Sequence, residues 1–159
     1  MRKLAGTAAG RPIDIVCSMD ERWRTSRTGT FAAWGGPQIT VRGGNYLGEL
    51  VARYSIGDLP VRAVRDDIGS PDTDSVTVVV LDGPAGLTPR APLALVEGAP
   101  EYHQRLCGWL DGGEPEVVDK LLPEPALWHQ LAALPRRDAA LIDHDNTLGV
   151  GRYVAQWCV

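Results

Sequence analysis

Ser75-Val76-Thr77-Val78-Val79-Val80-Leu81 is the stretch on which the fold turns. A nearly unbroken β-branched run of this length predicts a strand, and one buried on both faces, as at the centre of a parallel sheet covered by helices. Gly69–Asp74 before it is turn chemistry. Asp82 to Pro100 after it carries Pro84, Pro89, Pro92 and Pro100, which fit neither a helix nor a central strand and predict an ordered loop.

Further elements follow on both sides. Ile13–Ser18 reads as a buried strand, Asp20–Gly36 as a long loop, and Gln38–Arg42 and Pro60–Val64 as short strands. Tyr46–Ser55 sets Leu47, Leu50, Val51 and Tyr54 at helical spacing, predicting a helix packed by that face. After the loop come Glu101–Leu110, with Tyr102, Leu106, Trp109 and Leu110 inward, then Pro115–Leu122 and Pro125–Leu134, each opening on proline and stopped by another. Asp138–Asp143 and Gly149–Val159 close the chain as strands. The expectation is one α/β domain over residues 1–159: a mixed, largely parallel sheet with helices on both faces.

Bulk properties narrow the function. A chain of 159 residues can bury a sizeable core. A net charge of −4 argues against a basic nucleic-acid or membrane footprint, so neither partner is expected. Met1–Thr7 has basic residues with no apolar run behind them, unlike a secretion signal, and no run is long enough to span a bilayer. Cytoplasm is the expected location. Cys17, Cys107 and Cys158 are far apart, form no C-x-x-C pair, and sit in apolar runs that predict buried, reduced thiols.

The candidate chemistry is scattered. In Asp143-His144-Asp145 an imidazole lies between two carboxylates, a metal-like set. On a regular strand Asp143 and Asp145 would share one face and His144 the other, so all three converge only in a turn. His129 falls roughly 200° from Leu127 around its helix and points off the core, while His103 lies near the edge of its helix's apolar stripe. Arg22–Arg27, with Arg24 and Arg27, is a basic loop that suits an acidic or phosphorylated ligand or simple solvation. Gly149-Val150-Gly151 lacks a third glycine and opens a strand, so it is no dinucleotide fingerprint, and there is neither a nucleophile elbow nor a phosphate-binding loop.

Several pieces, in order, resemble the class III extradiol dioxygenase B-subunit-like superfamily, and most closely its uncharacterised actinobacterial branch. They are Thr28–Gly35, Leu81-Asp82-Gly83-Pro84-Ala85, Arg90-Ala91-Pro92-Leu93, Pro125–Leu131 and Leu148–Ala155. The resemblance implies a fold whose catalytic members hold a non-haem iron through two histidines and a glutamate, with a further catalytic histidine in the turn after a core strand. Here that turn has Ala85 in the histidine's place, and the family's opening strand is missing, as if the N-terminus were shortened. Alanine neither ligates a metal nor moves a proton.

Three readings follow. The leading one is a non-catalytic domain with a binding or assembly role, holding no metal, with a homodimer or protein partner covering the exposed sheet edge. The second is a divergent metal-dependent oxidoreductase binding iron or zinc through Asp143, His144 and Asp145, with His103 and Asp82 as further candidates. The third is a ligand-binding module using Arg24, Arg27 and a pocket beneath Asp82, beyond the carboxyl ends of the strands.

Overall fold

A computed structural model describes residues 10–70, 72–91 and 93–159; the Met1–Thr7 reading and Pro92 lie outside them. The chain, expected as one domain, divides into two compact units, Met1–Leu81 and Asp82–Val159.

Among the described residues of the first unit the strands are β1 (Ile13–Val16), β2 (Thr30–Phe31), β3 (Gly36–Thr40), β4 (Val61–Arg65) and β5 (Val76–Val79), with one α-helix, α1 (Leu47–Ile56). β1 lies between β4 and β5 and runs parallel to both, pairing Ile15 with Val64 and with Val78. The valine-rich run is therefore a half-buried edge strand, and the centre belongs to β1, whose four residues are all buried. The reason is that β-branching suits any half-buried pleated surface; it marks a strand without marking its place. Ile13, Ile15 and Cys17 pack on Ala52 and Ile56 of α1, joined by Leu59, Val61, Val64, Val76, Val78 and Val80.

α1 forms where its spacing predicts but is rotated from the expected face. Val51 and Tyr54 are exposed, and Glu49, Leu50, Ala52 and Ile56 are buried. Glu49 tolerates burial because its carboxylate accepts from the Asn45 N–H at 3.1 Å and from Arg53 at 2.9 Å. The expected loop Asp20–Gly36 holds two short 3₁₀ turns, Glu21–Trp23 and Ala32–Trp34, and β2, which pairs antiparallel with β3.

In the second unit, α2 (Ala99–Leu110) and α3 (Pro125–Ala132) precede the antiparallel strands β6 (Asp138–Asp145) and β7 (Arg152–Cys158). Tyr102, Leu106, Trp109 and Leu110 are buried as their spacing predicts. Trp109 lies 5.6 Å from Trp128 and 6.1 Å from Trp157, ring centre to ring centre, and the Trp157 indole N–H donates to the Leu110 carbonyl at 3.1 Å. Pro115–Leu122 is not a helix: only Asp119–Leu121 makes a 3₁₀ turn. Length alone does not forbid a helix here, since α3 is also eight residues long. Instead, the Tyr102 hydroxyl holds this segment, donating to the Glu116 carbonyl at 3.0 Å and accepting from Val118 N–H at 3.3 Å. Cys158 is exposed on the outer face of β7, contrary to the buried thiol expected; Cys17 is buried and Cys107 half-buried.

The described residues are thus a mixture of helices and strands, with one parallel sheet and two antiparallel pairs. No helix among the described residues is long and apolar enough to cross a membrane.

Asp14 is the buried charge of the central strand. Its carboxylate accepts two bonds from Arg62, at 2.9 and 2.7 Å, with Arg65 at 3.5 Å. The Arg62 hydrogen bonds hold its pKa below the usual carboxylate range against the opposing effect of burial. Such a group stabilises the fold above the pKa of the unfolded chain, and the contribution is lost as pH falls through the depressed folded value. Asp14→Asn is expected to cost about 2–3 kcal/mol in urea denaturation at pH 7, because Arg62 loses its buried partner and keeps only Asp72. The loss of stability on acidification below about pH 4 should be shallower in the variant.

Candidate metal centre

His103 and Cys107 stand four residues apart on α2, so one face of the helix carries both. His103 is 2% exposed. Its Nε2 lies 4.0 Å from Cys107 Sγ, and its ring centre lies 6.0 Å from that of His144 on β6. One ligand atom from each of the three lies within 4.8 Å of the others. Around a tetrahedral zinc, sulfur and nitrogen ligands sit about 3.5 Å apart, so a modest inward movement closes the set. His144 is exposed and free to supply it.

The strand register decides that His144, and not Asp143, faces this cluster. β6 pairs Leu141 with Ala155 and Asp143 with Val154, leaving Ile142 as an extra residue. A regular strand would give Leu141 and Asp143 the same face. The bulge reverses the alternation, so His144, opposite Tyr153, shares the face of Ala139 and Leu141.

The remaining candidates lie elsewhere. Asp145 accepts from the Thr147 N–H at 3.0 Å and forms an ion pair with Arg152, and Asp143 is exposed opposite Val154. Neither belongs to the cluster. Asp82 takes the Trp128 indole N–H on its backbone carbonyl at 3.0 Å, and its carboxyl pKa is raised by desolvation and then by Glu124. Ala85 makes a bridge with Val150, and Gly151 N–H donates to the Pro84 carbonyl at 2.9 Å, so the family-like turn runs along the start of β7. In the first unit Arg24 pairs with Glu21 at 3.4 Å, and exposed Arg27 donates its backbone N–H to Thr25 Oγ1 at 3.1 Å. His129 points off the core, as its position predicts, with Nε2 2.8 Å from Asp119.

Burial sets the electrostatics. The pKa of His103 is lowered by desolvation and then by His144, which keeps the imidazole neutral and fit to ligate. The Cys107 thiol is pushed up by burial, and the Tyr153 phenol is pushed up by burial first and then by Cys107. A thiol so placed is a poor free nucleophile; a bound cation would draw off its proton.

The sequence offers His103 as a further candidate beside Asp143, His144 and Asp145, while Cys107 reads as a buried thiol. The pair His103-x₃-Cys107 on one helix was the readable signal. No family profile, curated protein or solved structure matches the chain.

The register makes a test of its own. In a regular strand, deleting one residue before His144 turns it to the opposite face. Deleting Ile142 is expected to leave His144 opposite Tyr153, because the residue removed is the unpaired one. Cross-strand nuclear Overhauser contacts between positions 144 and 153 would check this.

Proposed function

We propose that the second unit binds a divalent transition metal, zinc by preference, through His103, Cys107 and His144. The observation that carries this reading is the convergence of two imidazoles and one thiol from α2 and β6. Nitrogen and sulfur donors together suit zinc, and three protein ligands leave a fourth position for water or a small ligand. The set lacks the carboxylate of a two-histidine, one-carboxylate iron site, so it does not favour ring-cleaving oxygenase chemistry. It replaces the carboxylate-based site expected around His144.

The test is elemental analysis of protein purified without chelators, with zinc titration of stripped protein. About one zinc per chain is expected. Cys107→Ser and His144→Ala should each weaken binding at least ~100-fold, while Asp143→Asn and Asp145→Asn leave it unchanged. Wild-type protein should gain about 2.7 kcal/mol of stability at a zinc concentration one hundred times Kd. Loss of binding in the aspartate variants with retention in Cys107→Ser would overturn the reading.

The wider reading is a degenerate extradiol-dioxygenase-like domain, with its largely parallel sheet flanked by helices, without the family's iron chemistry. The order of motifs and Ala85 support it. In this reading the protein works in the cytoplasm, where free cysteines stay reduced, and pairs with a second copy or a protein partner. β4 and β5 each pair on one side only among the described residues, which supports an edge contact. Light scattering after size exclusion at micromolar concentration is expected to give twice the chain mass.

A further inference from the structure

An imidazole binds a metal through one nitrogen only when that nitrogen presents a lone pair, and the hydrogen then sits on the other. His103 meets a different partner at each nitrogen. Nε2 faces Cys107 Sγ at 4.0 Å, and Nδ1 lies 2.5 Å from the Tyr153 hydroxyl. Nε2 is therefore the ligating atom in the metal-binding reading above, on which this inference rests, and Nδ1 belongs to Tyr153.

The phenol has room because two neighbouring positions lack side chains. A Cβ at Gly151 would lie 2.3 Å from the Tyr153 hydroxyl, and one at Gly83 would lie 2.7 Å from its ring edge. The ring lies 5.4 Å from that of His103, centre to centre, tilted at 35°. Tyr153 also sits opposite His144 in the β6–β7 register, so the strand pair that delivers one ligand delivers the group that orients another.

We propose that Tyr153 is the positioning residue of the centre, its hydroxyl choosing the tautomer of His103 and reversing its hydrogen bond when metal binds. Without metal, the Tyr153 O–H donates to Nδ1 and the hydrogen of the imidazole sits on Nε2, facing the sulfur. With metal on Nε2, the hydrogen moves to Nδ1 and donates to the Tyr153 oxygen, while the hydroxyl hydrogen turns away from the ring. The imidazole stays neutral throughout, and the single proton released comes from the Cys107 thiol and passes to solvent. Groups that orient a ligating histidine in this way contribute about 10–100-fold to metal affinity.

Nitrogen-15 chemical shifts of the His103 ring in wild-type protein read the tautomer directly. The hydrogen is expected on Nε2 in metal-free protein and on Nδ1 with zinc bound; the same tautomer in both states overturns the proposal. Cobalt(II) titration followed by the thiolate-to-cobalt absorption band supplies the second measurement, with Tyr153→Phe expected to bind about 10–100-fold more weakly. Equal affinity in Tyr153→Phe defeats the positioning role and leaves the metal centre standing. Wild-type protein that develops no thiolate band on cobalt addition defeats the metal centre itself. If Tyr153→Phe does not fold, the wild-type shifts decide alone.

Discussion

One unpaired residue in β6 governs what the second unit can do. Ile142 has no partner across the β6–β7 ladder, and past it the alternation of faces is reversed. Were the strand regular, the outward aspartate would stand where His144 stands, and α2 would present His103 and Cys107 to a carboxylate. The bulge substitutes a nitrogen ligand for an oxygen ligand at one position. A mixed set of one nitrogen, one sulfur and one oxygen donor becomes one of two nitrogens and a sulfur, the donors that suit zinc. The choice of metal, in this reading, is made by strand geometry acting on two adjacent residues.

The first unit depends on a different constraint. Its central strand carries Asp14 among three buried apolar neighbours, and an unpaired carboxylate there would be expelled or protonated. Arg62 and Arg65 on β4 supply the countercharge across the parallel pair, and Arg62 reaches on to Asp72 before β5. The charge network therefore ties together the three segments that the apolar face joins through Ile13, Ile15, Val64 and Val78. One face of the sheet is held by packing, and the other combines the paired charge with buried Val16.

Local patterns were legible wherever packing obeyed them. The stripe of Tyr102, Leu106, Trp109 and Leu110 predicts α2 and its buried face, and proline at the start of α3 marks its first turn. Patterns failed where a non-local term outweighed them. α1 turned to bury Glu49 because Arg53 and Asn45 satisfy it, leaving Val51 and Tyr54 outside. The segment after Pro115 did not become a helix, because the Tyr102 hydroxyl takes its backbone groups. The valine run announced a strand correctly and its place in the sheet wrongly, since an edge strand with one packed face asks for the same residues.

The site was half legible for the same reason. His103 and Cys107 are a pair that helical spacing alone brings together, and they needed only to be read as ligands instead of core. His144 joins them across a strand register that contains a bulge, and no local pattern in Leu141-Ile142-Asp143-His144 announces which residue will be extra. Nor could the sequence say that His103 is buried, because what covers it is Tyr153, fifty residues away and admitted by the missing side chains of Gly83 and Gly151. A histidine at the edge of an apolar stripe is ordinarily a surface residue. With a phenol on one nitrogen and a thiol facing the other, it becomes the group through which helix and hairpin are joined at this end of the unit. The resemblance to a dioxygenase points to Ala85, where it implies that a histidine is lost. The geometry leads to a second place on the same chain, with different ligands.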